Sequence, residues 1–559
     1  MIDWFRSSSA HYVLLTLTVG LLLCTGTADL PLIDRDEPRF AEAARQMAER
    51  SNWIIPYFNE AYRFDKPPMS YWLMGLSASL TGGFSEFSAR LPAVISAGLV
   101  GLMIYRMGCR RLEPATGLWA AMAWLVSVQV LIHGRLAVAD MPLIAAITAS
   151  TWALWELLTR EDAGPSWRLM LYLSLGFGFL AKGPLAFICP LLTVGLYRLM
   201  WRQPLPLKRL GLRWGLPWVV GLIGLWGIPA LYLTDGLFWQ QGMGHHVVER
   251  GITPLNGRGF TPFFYLASTF FSLYPGIAWL GGTLRHLRES WHADTAFLLA
   301  WLLGPYLLFS FYATQLSHYV LPAFPAAVLL LARTATAPHR PDHWQRAGFA
   351  IVTGGGFLVT VLLLLIGFGE TFTPAMMPLR HFVLALAAMA GGLTLLAWLT
   401  AGRRYRVALV TLIAVGAGLS AGSHSLRSVA PTVALAPLFA DLPPQTVCHA
   451  VGFEEPGLVY YSHRHWLMGA EAGGTLEQTI ATPGPRVILL QQHETRLEAY
   501  LARYLPFIRK PVAKPEPERR KQWVRQLQAP DSGFRVEYVT GINPARLSWV
   551  ELMVAIRTG

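Results

Sequence analysis

Residues 88–106 read SARLPAVISAGLVGLMIYR, and Arg110 and Arg111 follow Arg106 at one end of the run. As a helix rising about 1.5 Å per residue, a run of this length crosses the roughly 30 Å of hydrocarbon in a bilayer. The arginines beyond it mark the end that stays in the cytoplasm. Working outward from this stretch, the same pattern recurs. About 13 spans are expected, at 11–31, 88–106, 115–133, 138–158, 169–182, 184–200, 214–233, 263–283, 295–313, 318–335, 347–367, 381–400 and 406–424. The first has no small-residue cleavage site after it and reads as a retained helix, not a signal peptide.

Composition agrees. Of 559 residues, 53% are hydrophobic and 14% charged, against roughly a quarter charged in a soluble domain; the mean hydropathy is +0.39. Alternate loops are basic: Arg198, Arg202, Lys208, Arg209 and Arg213; Arg285 and Arg288; Arg333, Arg340 and Arg346; Arg403, Arg404 and Arg406. These loops are expected in the cytoplasm, with the N-terminus inside and the end of the chain outside. The net charge of +13 therefore sets topology, which argues against a nucleic-acid partner. Cys24, Cys109, Cys189 and Cys448 show neither metal-ligand spacing nor a disulfide framework.

From about residue 426 the chain changes character. Short β-rich runs (Thr446–Phe453, Leu458–Tyr461, Arg486–Gln491, Arg535–Val539, Trp549–Ile556) alternate with polar stretches and a helix expected near Thr495–Tyr504. The fold class is thus an α-helical polytopic membrane domain, residues 1–425, followed by a small α/β domain outside the membrane, residues 426–559.

The polar anomalies gather on the side opposite the basic loops. Asp34-Arg35-Asp36-Glu37-Pro38-Arg39-Phe40 runs into AEAARQMAER, which reads as an amphipathic helix along the membrane surface with Pro38 in its first turn. A capped interfacial helix would account for Glu37, Glu42 and Glu49. Downstream, Asp65-Lys66-Pro67-Pro68 precedes Tyr71-Trp72. The double proline stiffens the backbone and presents the Lys66 ammonium in one place; snorkelling to headgroups is the plain alternative. Asp140, in RLAVADMP, could simply cap a helix, and Lys182, in FLAKGP, could simply sit at a helix C-terminus. GMGHHVVERGITP supplies His245, His246, Glu249 and Arg250, and Tyr319 opens a later span after Ser317-His318. No spacing rule supports a divalent cation between Asp65 and His245. Carboxylates beside several cations suit transfer from an anionic carrier, the cations taking up charge as a phosphate leaves. No phosphate-cradling Gly-rich loop is present.

These residues together resemble a known family. Asp36-Glu37-Pro38-Arg39-Phe40, Asp65-Lys66-Pro67-Pro68 to Trp72, Asp140 before Pro142, the Ala181-Lys182-Gly183-Pro184 turn, His245 to Arg250, Ser317-His318-Tyr319 and the tail run EEPGLVYY (454–461) are similar to the aminoarabinose transferases that act on lipid A. With the protein O-mannosyltransferases these belong to the GT-C glycosyltransferases, and the resemblance covers about residues 10–465. It implies juxtamembrane helices between the first two spans and a periplasmic domain over a cavity for a polyprenyl-phosphate sugar. It implies Asp36 and Asp140 as catalytic carboxylates, and Arg39, Lys66, Lys182, His245, Arg250 and Tyr319 as substrate-binding groups. The donor would be an undecaprenyl-phosphate-linked sugar, the acceptor lipid A or another periplasmic molecule, the location the bacterial inner membrane, and no cofactor is required. A protein O-mannosyltransferase-like enzyme and a lipid-linked sugar transporter are the competing expectations.

Overall fold

The computed structural model describes residues 8–33, 35–242, 263–289, 291–337, 343–369, 372–401, 405–496, 518–543, 546 and 548–558. Each expected span coincides with a helix or a broken helix. In chain order the first part contains α1 (Ser8–Val19, continued by a π turn to Cys24), α2 (Asp36–Glu49), α3 (Met69–Thr81), α4 (Glu86–Arg111), α5 (Pro114–Val126) and α6 (Val128–His133). Next come α7 (Asp140–Thr159), α8 (Pro165–Lys182), α9 (Leu185–Trp201), α10 (Leu212–Leu233), α11 (Phe264–Ser272) and α12 (Leu280–Glu289). The rest are α13 (Ala293–Ser310), α14 (Phe324–Ala335), α15 (His343–Phe368), α16 (Met377–Ala401) and α17 (Tyr405–Arg427). Among the described residues, seven helices are long and apolar enough by themselves to cross a membrane. The chain is a multi-pass membrane protein.

Local chemistry sets the ends. Ser85 and Ser88 form a reciprocal capping box that starts α4, and Pro114 and Pro165 open α5 and α8, where a missing N–H costs nothing. Helices α4 and α5 approach closely because Gly108 and Gly117 face each other: a Cβ on Gly108 would lie 2.2 Å from the Gly117 Cα.

The bundle is electrically polar. At one end Arg110 and Arg160 reach Glu156, 3.0 and 3.9 Å away, while Arg111 pairs with Asp294 at 3.1 Å. Arg333 donates to Thr295 there, and Arg209 to the Arg160 carbonyl. Helix α7 runs from this end to Asp140 at the other, about 30 Å away for 20 residues.

After α17 the tail forms α18 (Pro431–Phe439), α19 (Gly457–Ser462), α20 (Ala470–Ala481) and α21 (Glu518–Gln528) around a five-stranded sheet. Beside the small hairpin β1 (Tyr57–Phe58) and β2 (Ala61–Tyr62), its strands are β3 (Val447–Val451), β4 (Trp466–Leu467), β5 (Arg486–Arg496), β6 (Arg535–Asn543) and β7 (Ser548–Arg557), in the order β4-β3-β5-β7-β6. Along β5, Val487 and Leu489 face Leu435, Phe439 and Leu458, whereas Ile488 and Leu490 face Leu476, Trp523 and Leu527. Both faces are covered, which explains the nearly continuous apolar runs.

Two expectations for the tail are corrected. Leu458–Tyr461 is not a strand but lies within α19, because Leu458 and Val459 both enter the tail core while Tyr460 and Tyr461 both pack toward α2 and α3. Neighbouring residues sharing a face fit a helical turn and not a two-residue period. Thr495 and Arg496, placed in a helix, end β5; residues 497–504 lie outside the described residues.

Candidate functional site

Asp36 is the first residue of α2, with Glu37 beside it in the acidic first turn, where the helix dipole favours negative charge. The two carboxylates part company at once. Asp36 is exposed; Glu37 is fully buried against Arg90 of α4. Arg90 donates to both Glu37 oxygens at 2.8 Å. It also donates to the carbonyls of Thr27 at 2.9 Å, Pro31 at 2.7 Å, and Leu30. Glu37 in turn accepts the N–H groups of Ile33 and Ala137, each at 2.7 Å. One ion pair therefore ties the strap before α2 to the turn that leads into α7.

The apolar face of the expected amphipathic helix is covered by protein. Phe40, Ala41, Ala43, Ala44 and Met47 are buried between α3 and the tail, and buried Glu42 is held by Arg45 at 2.8 Å and Gln46 at 2.7 Å. Helix α2 is packed in protein because its apolar face is matched by α3 below and α19 above.

The Lys66 loop sits beside this helix. Lys66 Nζ donates to the Asp65 carbonyl at 3.0 Å. The Asp65 carboxylate lies 2.8 Å from Arg63, which also donates to the Tyr71 hydroxyl at 3.2 Å and lies over the Phe40 ring. Burial works against the Arg63 charge, but Tyr71 and Asp65 outweigh it and its pKa is raised. Arg39 has the opposite balance. Burial, then Arg63, draw its pKa below the ordinary guanidinium range, with Asp36 and Asp65 opposing. A cation with that balance gains from an added anion.

At the ends of α7 and α8, Asp140 and Lys182 form an ion pair of 2.6 Å, both side chains largely buried. Asp140 accepts from Lys182, so Lys182 does more than end its helix. The His318 Nε2 stands 3.9 Å from Asp140, and the Lys182 ammonium lies 5.9 Å above the Tyr319 ring. Behind them His133 stacks on His318, accepts from Gln129, and is linked through it to Ser272.

The two groups meet: Asp36 interacts electrostatically with Arg39, Arg63 and Lys182. Asp36, Arg39, Asp140, Lys182 and Tyr319 are thus brought to one end of the bundle, with Lys66 on the adjoining loop. His245 and Arg250 lie outside the described residues. Sequence reasoning missed Arg63, Arg90 and His133. The signal for Arg90 was available, since a cation inside an apolar span needs a buried partner.

Comparison with known proteins fits this geometry. Residues 65–232 match the family model described as dolichyl-phosphate-mannose-protein mannosyltransferase. An undecaprenyl phosphate-alpha-4-amino-4-deoxy-L-arabinose arabinosyl transferase from Pectobacterium atrosepticum is 31% identical over 53% of this chain; the match spans only 54% of that relative's length. The enzyme of the same name from Pseudomonas aeruginosa is 29% identical over 82% of this chain and 80% of its own. Among solved structures, ArnT from Cupriavidus metallidurans bound to undecaprenyl phosphate superposes with a TM-score of 0.73 at 18% identity, covering 91% of this chain and 97% of that one. The similarity to the aminoarabinose transferases read from the motifs is borne out, and the chain shares the fold of the Cupriavidus structure, a helical membrane domain with a C-terminal sheet domain.

Proposed function

We propose that this chain is a polyprenyl-phosphate-dependent glycosyltransferase, moving 4-amino-4-deoxy-L-arabinose or a related pentose or hexose from undecaprenyl phosphate to lipid A or another periplasmic acceptor. One observation carries the reading: the carboxylates Asp36 and Asp140 and the cations Arg39, Arg63 and Lys182 converge at the end of the bundle opposite its arginine-rich end. The names of the similar proteins support the donor and the sugar. Arginine placement supports a site facing away from the cytoplasm, and the bacterial sources of the similar proteins support the inner membrane, with the site toward the periplasm.

The reaction is an inverting displacement. An acceptor oxygen bonds to the anomeric carbon as the bond from that carbon to the phosphate oxygen breaks, and its electron pair leaves with the phosphate. Lys66, Arg39 and Arg250 take up that charge, Tyr319 donates a hydrogen bond to it, and His245 completes the binding set. Each charge-assisted contact contributes about 1.5–3 kcal/mol. An ionised phosphate acceptor needs no base, and Asp36 then steadies positive charge developing on the sugar; a hydroxyl acceptor needs Asp36 as its base. Asp140, paired with Lys182, lines the same cavity.

Mass spectrometry of lipid A from cells with and without this protein tests the acceptor, and sugar transfer by purified protein in detergent tests the chemistry. A transporter shows activity only across a sealed membrane. Lys66→Ala and Arg250→Ala are each expected to lower turnover at least about tenfold. Normal rates in both would end the phosphate-clamp reading. The mannosyltransferase-type match over residues 65–232 favours a second reading, a protein acceptor, which the same assay separates by supplying a peptide in place of lipid A.

A further inference from the structure

The tail run EEPGLVYY has no part in the chemistry above, yet two of its side chains, Glu455 and Tyr461, reach the strap that leads to Asp36. We infer that the C-terminal domain is a positioning unit: through Glu455, Tyr461 and the Trp466 backbone it holds the strap leading to Asp36 and the hairpin leading to Lys66 in fixed relation. The inference rests on the transferase reading for the meaning of those two residues, while the contacts stand by themselves.

Tyr461 is the first link. Its hydroxyl accepts the Leu32 N–H at 2.8 Å and faces Glu86 Oε1 at 3.3 Å, donating to it. Glu86 opens α4 and is gripped by Arg427, at the end of α17, at 2.6 Å. A single hydroxyl thus joins the strap, two membrane helices and the tail. Glu455 is the second link. It is largely buried, takes a hydrogen bond from Asn543 at 2.9 Å and an ion pair from Arg546 at 3.3 Å, and reaches Arg35 at 3.7 Å. Arg35 immediately precedes Asp36.

The hairpin β1–β2 is held separately. Asn59 and Glu60 turn it with φ of 52° and 67°, a conformation that Asn tolerates better than most residues. The Asn59 amide then pairs with the Trp466 backbone in both directions, Nδ2 to O at 2.8 Å and N to Oδ1 at 2.9 Å. It acts as an added residue on edge strand β4, and Phe58 packs against the tail core. From Asn59 the chain reaches Lys66 in seven residues. Reacting groups must be held within about 0.5 Å of the productive geometry, and these loops take part of that restraint from the tail.

The strap links and the hairpin contact have different expected signatures in the full-length protein in detergent. Tyr461→Phe and Glu455→Gln are expected to lower kcat about fivefold with donor KM unchanged, because they loosen the Asp36 strap. Asn59→Ala is expected to raise donor KM about fivefold, because it loosens the Lys66 loop. A purely structural role would lower the melting temperature and leave both constants of the folded protein at wild-type values, and that result overturns the inference. If the wild-type chain transfers no sugar, the transferase reading fails by itself. Amide exchange then reports the contacts: it is expected to quicken over residues 25–33 in Tyr461→Phe and over 57–66 in Asn59→Ala, and unchanged exchange in both also overturns the inference.

Discussion

Arg90 and Glu37 are both fully buried, and every polar atom each offers toward the strap is occupied. Breaking such a pair by removing one partner costs about 3–5 kcal/mol, whereas replacing both by apolar groups is often nearly neutral. Here the second outcome is not expected. Removing both leaves the Ile33 and Ala137 N–H groups and the Thr27 and Pro31 carbonyls without partners. Thermal unfolding in detergent is therefore expected to find Arg90→Met/Glu37→Met no more stable than Arg90→Met alone; recovery in the double variant would mean that the backbone contacts matter little. At Asp140 the pairing makes a different demand. Lys182→Ala leaves a largely buried carboxylate without its 2.6 Å partner at the proposed site. Transfer is expected to fall at least about tenfold, with partial rescue by Lys182→Arg. Full activity in Lys182→Ala would reduce the pair to scaffolding. Asp36, Arg39, Lys66, Asp140 and Lys182 were legible in the sequence because they are polar groups at span ends on one side. Their pairing was not: capping and ion pairing make the same demand on composition, and only the fold decides which partner Asp140 meets.

The elements divide along similar lines. Long apolar runs were legible because a bilayer imposes one length and one backbone solution. In the tail, strands β3, β5, β6 and β7 were found from their β-branched runs, while α19 was misread because Leu-Val-Tyr-Tyr carries strand-like side chains on a helical turn between two hydrophobic clusters. Helices α18, α20 and α21 were missed because short amphipathic segments in a doubly covered sheet domain give a weak periodic signal. The tail also carries a pH dependence. His449 lies in the middle of β3, fully buried, and burial, then Arg486, hold its pKa below the ordinary imidazole value of 6.5. His463, after α19, is lowered likewise by burial, then Arg45. Below pH 6.5 the unfolded tail binds protons that the folded one refuses, so stability falls as pH falls, by at most about 1.4 kcal/mol per pH unit for buried His449 and by less for exposed His463, where solvent screens the charge. Amide exchange in β3 and β5 is expected to be faster at about pH 5.5 than at about pH 7.5 beyond the intrinsic change, and less so in His449→Gln. Equal protection at both values would show that these imidazoles do not limit the tail.

For the whole molecule the decisive property is polarity. Basic loops cluster at one end, with Glu156 and Asp294 among the arginines, while the Asp36–Lys182 site and the sheet domain share the other. A transporter pathway would place ionisable groups at both halves, often on paired broken helices; a transferase using a lipid-linked donor needs one chemically equipped face. A periplasmic acceptor can be served only if the site's face looks outward, and that can be measured. Asp162, in the loop between α7 and α8, is 65% exposed at the basic end, and Glu477, on α20, is 51% exposed in the tail. The four native cysteines are buried or half-buried, and burial lifts the Cys448 thiol to about 12, so background labelling is low. In cells whose outer membrane alone has been opened, a membrane-impermeant maleimide is expected to label Glu477→Cys. Asp162→Cys is expected to react only after the inner membrane is also opened. The reverse pattern would turn the site toward the cytoplasm, away from any periplasmic acceptor. Labelling of both without opening the inner membrane would put the two ends of the bundle on one side and remove the odd number of crossings on which the topology rests.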